Sequence, residues 1–477
     1  MHAQRTFDLN DQRLFARVTG DCNPIHVDEV AARRTMAGAP VVHGIHTLLW
    51  LLDSIGSQAP DLENIATLRV HFGKMLYLGE LAQTTLVKRD SRQLRAKVSV
   101  GAADIMQLII GTGAVQSRPA RIDEGVAVAE VLNPVVPAEI ALEEMKLQRG
   151  RLAFATDVNE IARLFPNAAR LIGPRRVAAL GCSTRLVGMV VPGLHSIFGG
   201  LEVSFVEDDP ARNEIEYEVS AVEEVLKFVR TAISGGGLLG HVEAFNRPTP
   251  TPQPRIERIK PMLAQKEFEG SVVLIVGGSR GLGELVAKII AAGGGKVILT
   301  YVTGKSDAER VAQEIAGEGG ECEILSYDVS GDPDGQLWSL STAPSHIYYF
   351  ATPSIFRRRS AAYSPGLFGQ FNAYYVTGFY NLVEFALRTW RSIDKISVFY
   401  PSSSALDERP ENMTEYAMSK AAGEILCADL DRHIRNLRVV TTRLPRILTD
   451  QTASISEVES ADALDTMLPL VREFQRD

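Results

Sequence analysis

Two short stretches of this chain bring together residue types that can move protons. In "GDCNPIHVDE", Gly20 to Glu29, the acid Asp21, the amide Asn23 and the imidazole His26 fall at i, i+2 and i+5, with Pro24 stiffening the bend. In "YAMSK" the phenol of Tyr416 and the ammonium of Lys420 stand about one helical turn apart. The segment "PSSSA" sets the Ser403 hydroxyl thirteen residues before that tyrosine. Taken singly, Asp21 and Asn23 are ordinary helix caps, and a lone serine, tyrosine or lysine is an ordinary surface residue. Their surroundings shift the balance. "VVHGIHTLLWLL" follows the first set, and Gly44 opens an apolar helix whose first amides could receive an oxyanion. Before the second set, "VGGSRGLGE" places Gly277, Gly281 and Gly283 as G-x-x-x-G-x-G directly after the apolar run "SVVLIV". Such a turn lets the backbone approach a pyrophosphate at a helix N-terminus.

The elements that must hold these groups divide into two kinds. From Gly270 onwards, apolar runs such as "SHIYYFAT", "KISVFY" and "NLRVVTTRL" alternate with helical stretches, the pattern of a parallel sheet with crossover helices. Residues 1–245 read instead as a helix followed by period-two strands, and this order occurs twice. "ATLRVHFGK", "LAQTTLVKRD", "LRAKVSVGAA" and "IMQLIIGTGAVQ" follow the first helix. "SIFGGLEVSF", "NEIEYEVSAVEE" and "VLKFVRTAIS" follow the second. Between the two kinds, "NRPTPTPQPRIERIKP" has the alternating prolines of an extended linker. The expected division is 1–120, 121–245, a linker at 246–268, and 269–477.

With 477 residues, 45% hydrophobic and 23% charged, the chain has the composition of a soluble multidomain protein. The 50 basic against 58 acidic residues, net charge −8, argue against nucleic acid or an anionic membrane as the main partner. Cys22, Cys182, Cys322 and Cys427 form no CxxC or zinc pattern and read as reduced cytosolic thiols. No metal is expected.

The set "FARVTGDCNPIHVDEVAA", "PVVHG" and "VHFGKMLYLGE" resembles the MaoC-like (R)-specific enoyl-thioester hydratases of the hotdog fold, over roughly the first 115 residues. The resemblance implies that Asp21 and His26 activate a water as acid and base across C2 and C3 of an acyl thioester. Asn23 would orient the loop at the substrate, and the Gly44 N–H would stabilise the thioester enolate oxygen. His43 is expected to pack at the helix start, and His46 to face sheet or solvent. The second repeat has "VPGLHSIF" but no D-x-N-P-x-H. His195 is therefore expected to be structural and the repeat a non-catalytic hotdog partner.

The glycine turn with Ser403, Tyr416 and Lys420 resembles the short-chain dehydrogenases/reductases. That resemblance implies that Tyr416 donates a proton to a carbonyl oxygen as hydride reaches its carbon. Lys420 would lower the tyrosine pKa and hold the nicotinamide ribose, and Ser403 would bond the substrate oxygen. Gly277, Ser279, Arg280, Gly281, Leu282, Gly283 and Asp328 are the expected cofactor residues, together with Tyr416 and Lys420. "VILTYVTGKSD" offers no acid for a ribose 2′-hydroxyl, while Arg280, with Lys305 near, suits a 2′-phosphate, so NADPH is favoured. The family's Asn-Ala-Gly is replaced by "FATPS", its Pro-Gly by "LPRILT" with Arg446, and its proton-relay asparagine by Tyr375.

The fold expected is thus an N-terminal tandem hotdog α+β region and a C-terminal Rossmann-like doubly wound α/β domain. The expected function is NADPH-dependent 3-ketoacyl reduction to the (R)-3-hydroxyacyl thioester, followed by dehydration to the trans-2-enoyl thioester, on CoA or acyl carrier protein. A cytoplasmic homo-oligomer is also expected. Two alternatives stay open: the same steps run backward with NAD in degradation, and a hydratase whose C-terminal domain only binds nucleotide.

Overall fold

The computed structural model describes residues 2–115, 117, 131–340, 342–355, 363–455 and 458–476. They form two compact units, the first made of the residues up to Thr249 with Ser454 and Ile455, the second of the other described residues from Pro250 onwards.

In the first unit the helix Gly44–Gln58 is apolar on nearly every face, so it must be covered on all sides. A sheet provides one cover. Strands Leu81–Arg89, Gln93–Val100, Ala103–Thr112 and Ile65–Phe72 lie in that order and are antiparallel. The second repeat builds the same arrangement. Helix Pro174–Arg185 and a π-helical turn, Leu186–Val190, precede the strands Ser196–Phe205, Leu238–Asn246, Phe228–Gly235 and Glu214–Glu223, given in spatial order. Ile65–Phe72 pairs antiparallel with Ser196–Phe205, joining both halves into one eleven-stranded sheet among the described residues. Leu48, Leu49 and Leu52 of one helix, Val177 and Leu180 of the other and Leu186 of the π-helical turn belong to a single apolar core. The helices meet closely, since a Cβ at Gly56 would lie 2.5 Å from the Asn167 carbonyl oxygen of the neighbouring helix Pro166–Ile172. The expected boundary at 120/121 lies outside the described residues.

The second unit holds six parallel strands in the spatial order Cys322–Ser326, Lys296–Tyr301, Val272–Val276, His346–Tyr349, Ile396–Ser403 and Leu437–Leu444. Numbered along the chain this is 3-2-1-4-5-6, the doubly wound order whose ligand crevice opens at the strands' carboxyl ends beside the first strand. Val273, Ile275, Val297 and Leu299 are fully buried, as parallel strands covered on both faces require. The stretch 246–268, expected from its prolines to be linker, is only partly so. Asn246 still belongs to a strand, and Ile256, Ile259 and Phe268 enter the second unit's core. Ile256 and Ile259 share one face of a short helix packed on Gly281–Ala292, and burial of that apolar pair overrides the extended bias of the preceding prolines.

Candidate active sites

Asp21 follows the helix Leu9–Thr19, which ends on Gly20 in the left-handed conformation. The carboxylate is 1% exposed and has two partners. Oδ1 accepts the Asn23 N–H at 3.2 Å, and Oδ2 accepts the Thr184 hydroxyl at 2.7 Å. His26 lies on the next short helix, with Nδ1 2.8 Å from the Val41 carbonyl oxygen. A carbonyl only accepts, so Nδ1 carries the proton and Nε2 presents its lone pair. The His26 ring stacks on His43, centroids 3.8 Å apart, and His43 Nε2 reaches the Asp21 backbone oxygen at 3.1 Å. The ligand atoms of Asp21, His26 and His43 lie within 4.8 Å of one another. His43 Nε2 faces a carbonyl oxygen, which only accepts, so it carries a proton and offers no lone pair to a metal.

Burial raises the Asp21 pKa and lowers that of His26, and each group opposes the shift of the other. An acid made weaker and a base made weaker shift towards one another in proton affinity, which suits a pair that hands protons to and from one substrate. His43 is held well below the ordinary histidine range by burial and by the adjacent His26.

Asn23, expected at the substrate, is fully buried and spends its side chain on the protein. Oδ1 caps Ile25 N–H, and Nδ2 donates to the carbonyls of Gly188, Gly193 and Leu194 at 2.9, 3.1 and 3.3 Å. It locks the loop of Asp21 and His26 to the second repeat. Gly44 is the first residue of its helix, where the N–H has no intrahelical acceptor. His46 does not face sheet or solvent: it is 4% exposed, stacked on Phe15 and edge-on to Phe7 and Phe165, because the aromatic surroundings outweigh the ring's polarity. His195 Nε2 meets Glu139 at 3.1 Å.

The second repeat is more than a bystander, and the sequence alone did not show this. It supplies the Thr184 hydroxyl, and its Gly188 makes room for the carboxylate, since a Cβ there would lie 2.2 Å from Asp21 Oδ1. Thr184→Val keeps the shape and removes the donor. Loss of a hydrogen bond to a charged group costs about 1.5–3 kcal/mol, so hydration should fall by one to two orders of magnitude. Thr184→Ser should retain most of it. The hydroxyl holds the Asp21 pKa down, so in the valine variant the ionisation limb assigned to Asp21 should move to higher pH. An unchanged rate and profile would remove Thr184 from the site.

In the second unit the strand Val272–Val276 runs into the glycine turn and the helix Gly281–Ala292. Gly277 and Gly281 have left-handed φ of 80° and 58°, and a Cβ at Gly283 would lie 2.4 Å from the Gly277 carbonyl oxygen. The turn is therefore tight enough to bare its backbone. Ser279 is buried beside it, and Leu282 is half-buried against the core. Thr300 at the end of the second strand gives its hydroxyl oxygen to Gly277 N–H, at 3.1 Å, and no acid stands there. Arg280 caps the helix, with Nη1 3.8 Å from Asp450. Lys305 is exposed and pairs with Glu309 at 3.7 Å. Asp328 turns its carboxylate onto Ser330, at 2.9 Å to N and 2.7 Å to Oγ.

Ser403 ends the strand Ile396–Ser403, and Tyr416 and Lys420 share the helix Thr414–His433. The Ser403 hydroxyl bonds Tyr416 and holds its pKa down, but burial wins and the phenol titrates above its usual range. The expected lowering by Lys420 is absent. Lys420 Nζ donates to the Pro401 carbonyl at 2.6 Å and lies 4.0 Å from the Tyr375 ring centroid, against 6.0 Å from that of Tyr416. Burial brings the Lys420 pKa down to about 7. Tyr375 sits in the π-helical turn Ala373–Gly378, its hydroxyl 2.5 Å from Thr352 Oγ1 and its carbonyl accepting the Tyr400 hydroxyl at 3.0 Å. Its phenol is thus engaged with "FATPS", and its ring face receives the lysine. Arg446 donates to the Thr452 carbonyl. No helix among the described residues is long and apolar enough to cross a membrane.

Residues 2–107 match the family model described as MaoC like domain, and residues 271–342 that described as short chain dehydrogenase. The first match contains Asp21, Asn23, His26 and Gly44. The second contains the glycine turn and stops before Ser403. Versicolorin reductase stcU of Emericella nidulans is 33% identical over 82 residues, 17% of this chain and 31% of that protein. A short-chain dehydrogenase/reductase of Pestalotiopsis microspora is 37% identical over 66 residues, 14% of this chain and 25% of that one. The chain thus spans less than a third of the length of these relatives. A solved short chain dehydrogenase of Escherichia coli CFT073 complexed with NADPH is 21% identical, covering 44% of this chain and 93% of its own, with a TM-score of 0.40.

Proposed function

From a chain that carries a MaoC-like domain at its N-terminal end and a short-chain dehydrogenase domain after it, we infer a bifunctional acyl-thioester enzyme. It reduces a 3-ketoacyl thioester to the (R)-3-hydroxyacyl thioester and dehydrates this to the trans-2-enoyl thioester. The observation that carries the reading is that two proton-handling sets are each assembled inside their own unit: Asp21 with His26, and Ser403 with Tyr416 and Lys420. The first half reads as a double hotdog, the doubled helix-and-sheet order being its support.

In the dehydratase half, one member of the Asp21–His26 pair removes a C2 proton while the other protonates the departing C3 hydroxyl, which leaves as water. The Gly44 N–H, at the start of an apolar helix, stabilises the negative charge that builds on the thioester oxygen in that transition state. In the reductase half, Tyr416 protonates the carbonyl oxygen and Ser403 orients it. NADPH, when bound, supplies the hydride. The turn from Gly277 to Gly283 would hold the pyrophosphate and Arg280 the 2′-phosphate. Arg280→Ala should weaken NADPH binding by about tenfold or more, the value of one charge-assisted pair, and leave NADH nearly unaffected. Fluorescence titration reads both. Tighter binding of NADH by the wild type would favour the degradative direction.

The scaffold reading draws on one observation, the replacement of the relay asparagine by a tyrosine whose phenol is already engaged. Separate assays of the full chain, one following hydration of a crotonyl thioester and one NADPH oxidation with an acetoacetyl thioester, decide between the two. Activity in both supports the bifunctional enzyme, and hydration alone supports the scaffold.

A further inference from the structure

Arg247 follows the strand Leu238–Asn246 and is only 4% exposed. Its backbone N–H donates to the His195 carbonyl at 2.7 Å, and Nη2 donates to the Leu194 carbonyl at 2.8 Å. Nε and Nη1 are buried and find no acceptor among the described residues, and His195 Nδ1 next to it is likewise buried without a partner. Burial alone lowers the guanidinium pKa, to about 10, with no carboxylate opposing it. It remains a cation at neutral pH.

A desolvated charge without a counter-ion is costly, and buried donors without acceptors are rare in folded proteins. The location gives this one a purpose. The Leu194 carbonyl that receives Arg247 also receives Asn23 Nδ2 at 3.3 Å, so the guanidinium adjoins the loop that carries Asp21 and His26. Its charge is felt at His26, whose proton affinity it lowers.

We propose that Arg247 binds an oxyanion of the substrate, a carboxylate carried on the acyl chain, so that the dehydratase half takes a dicarboxylyl monothioester. The proposal rests on the thioester reading above. A second source of the same chemistry is the phosphate of the carrier's pantetheine arm. That arm separates its phosphate from the reacting carbons by many bonds, whereas Arg247 shares a carbonyl with Asn23, two residues from Asp21. The acyl chain is therefore the source that fits. Nε and Nη1 would give its carboxylate charge-assisted hydrogen bonds that no group among the described residues now takes.

The test is calorimetric binding to the full chain of glutaryl-CoA, butyryl-CoA and the phosphate-free N-acetylcysteamine thioester of butyrate. Saturated thioesters bind without reacting, so the result does not depend on turnover. Glutaryl-CoA should bind at least about tenfold more tightly than butyryl-CoA, an advantage lost in Arg247→Gln and partly kept in Arg247→Lys. If the glutamine variant does not fold, the wild-type ratio and the lysine variant decide. Equal binding of glutaryl-CoA and butyryl-CoA, or an advantage that survives the glutamine substitution, overturns the proposal. So does a variant that loses only the preference for butyryl-CoA over the phosphate-free thioester, which assigns Arg247 to the carrier. Absence of hydration with both glutaconyl-CoA and crotonyl-CoA would instead sink the dehydratase reading, leaving the binding result to stand by itself.

Discussion

Asp21→Asn and His26→Ala are each expected to lower hydration of a crotonyl thioester by about 10² to 10⁴-fold, the range of a positioned general acid or base. The double variant should lose little more than either single one, since both groups act in one transition state. The geometry gives the reason. The two side chains belong to a cluster whose polar atoms lie within 4.8 Å, and burial shifts their pKa values towards one another. With Asn at position 21 the amide oxygen can still accept the Asn23 N–H and the amide NH2 can donate to the Thr184 hydroxyl, which turns to accept, so the fold should hold while the proton acceptor is lost. Losses that multiply in the double variant would mean that the two residues act in separate steps. Substantial hydration in the double variant would move the site elsewhere.

The second large effect lies in the other unit. Tyr416→Phe should abolish NADPH oxidation with a 3-ketoacyl thioester, by 10²-fold or more on the same grounds, while NADPH binding and hydration continue. The wild-type reaction should itself be slow. Tyr416 is buried with its pKa raised, and the nearby ammonium faces the Tyr375 ring rather than the Tyr416 hydroxyl. Its pH profile should show the cost. Lys420, whose remaining expected role is to hold the nicotinamide ribose, is held at about 7, far below the usual 10.5, so its charge is present at lower pH and is lost as pH rises through that value. Reduction should accordingly decline above about pH 7 in steady-state rates. A plateau extending to pH 10 would show that Lys420 keeps an ordinary proton affinity or takes no part.

Local chemistry was legible in the sequence, and long-range chemistry was not. The glycine turn, the Tyr416–Lys420 spacing and the D-x-N-P-x-H loop are set by neighbours within a turn or two, and the structure places them as expected on a strand-to-helix turn, one helix and one loop. The parallel and antiparallel sheets likewise follow from runs and alternation along the chain. Thr184 and Gly188 had no such signal. They lie more than 160 residues from Asp21, in a repeat without its own acid and histidine, and it is the pairing of Ile65–Phe72 with Ser196–Phe205, together with packing of the two repeats' helices, that brings them near. That Asn23 orients its loop was expected, but its three carbonyl partners are on that repeat and were not legible for the same reason. His46 went to the core since an aromatic neighbourhood is invisible in spacing, and the prolines before Ile256 hid an apolar pair that packs. The loss of lysine–tyrosine contact depends on Tyr375 and Thr352, whose closeness arises from the turn Ala373–Gly378.

The central claim is that one chain carries out reduction and then dehydration. Incubation of the full chain with a 3-ketoacyl thioester and NADPH, with the products identified by mass, tests it most directly. A mixture of 3-hydroxyacyl and trans-2-enoyl thioesters is the expected result, the enoyl product disappearing in Asp21→Asn and both products in Tyr416→Phe. Recovery of unchanged ketoacyl thioester from wild-type protein that binds NADPH would contradict it.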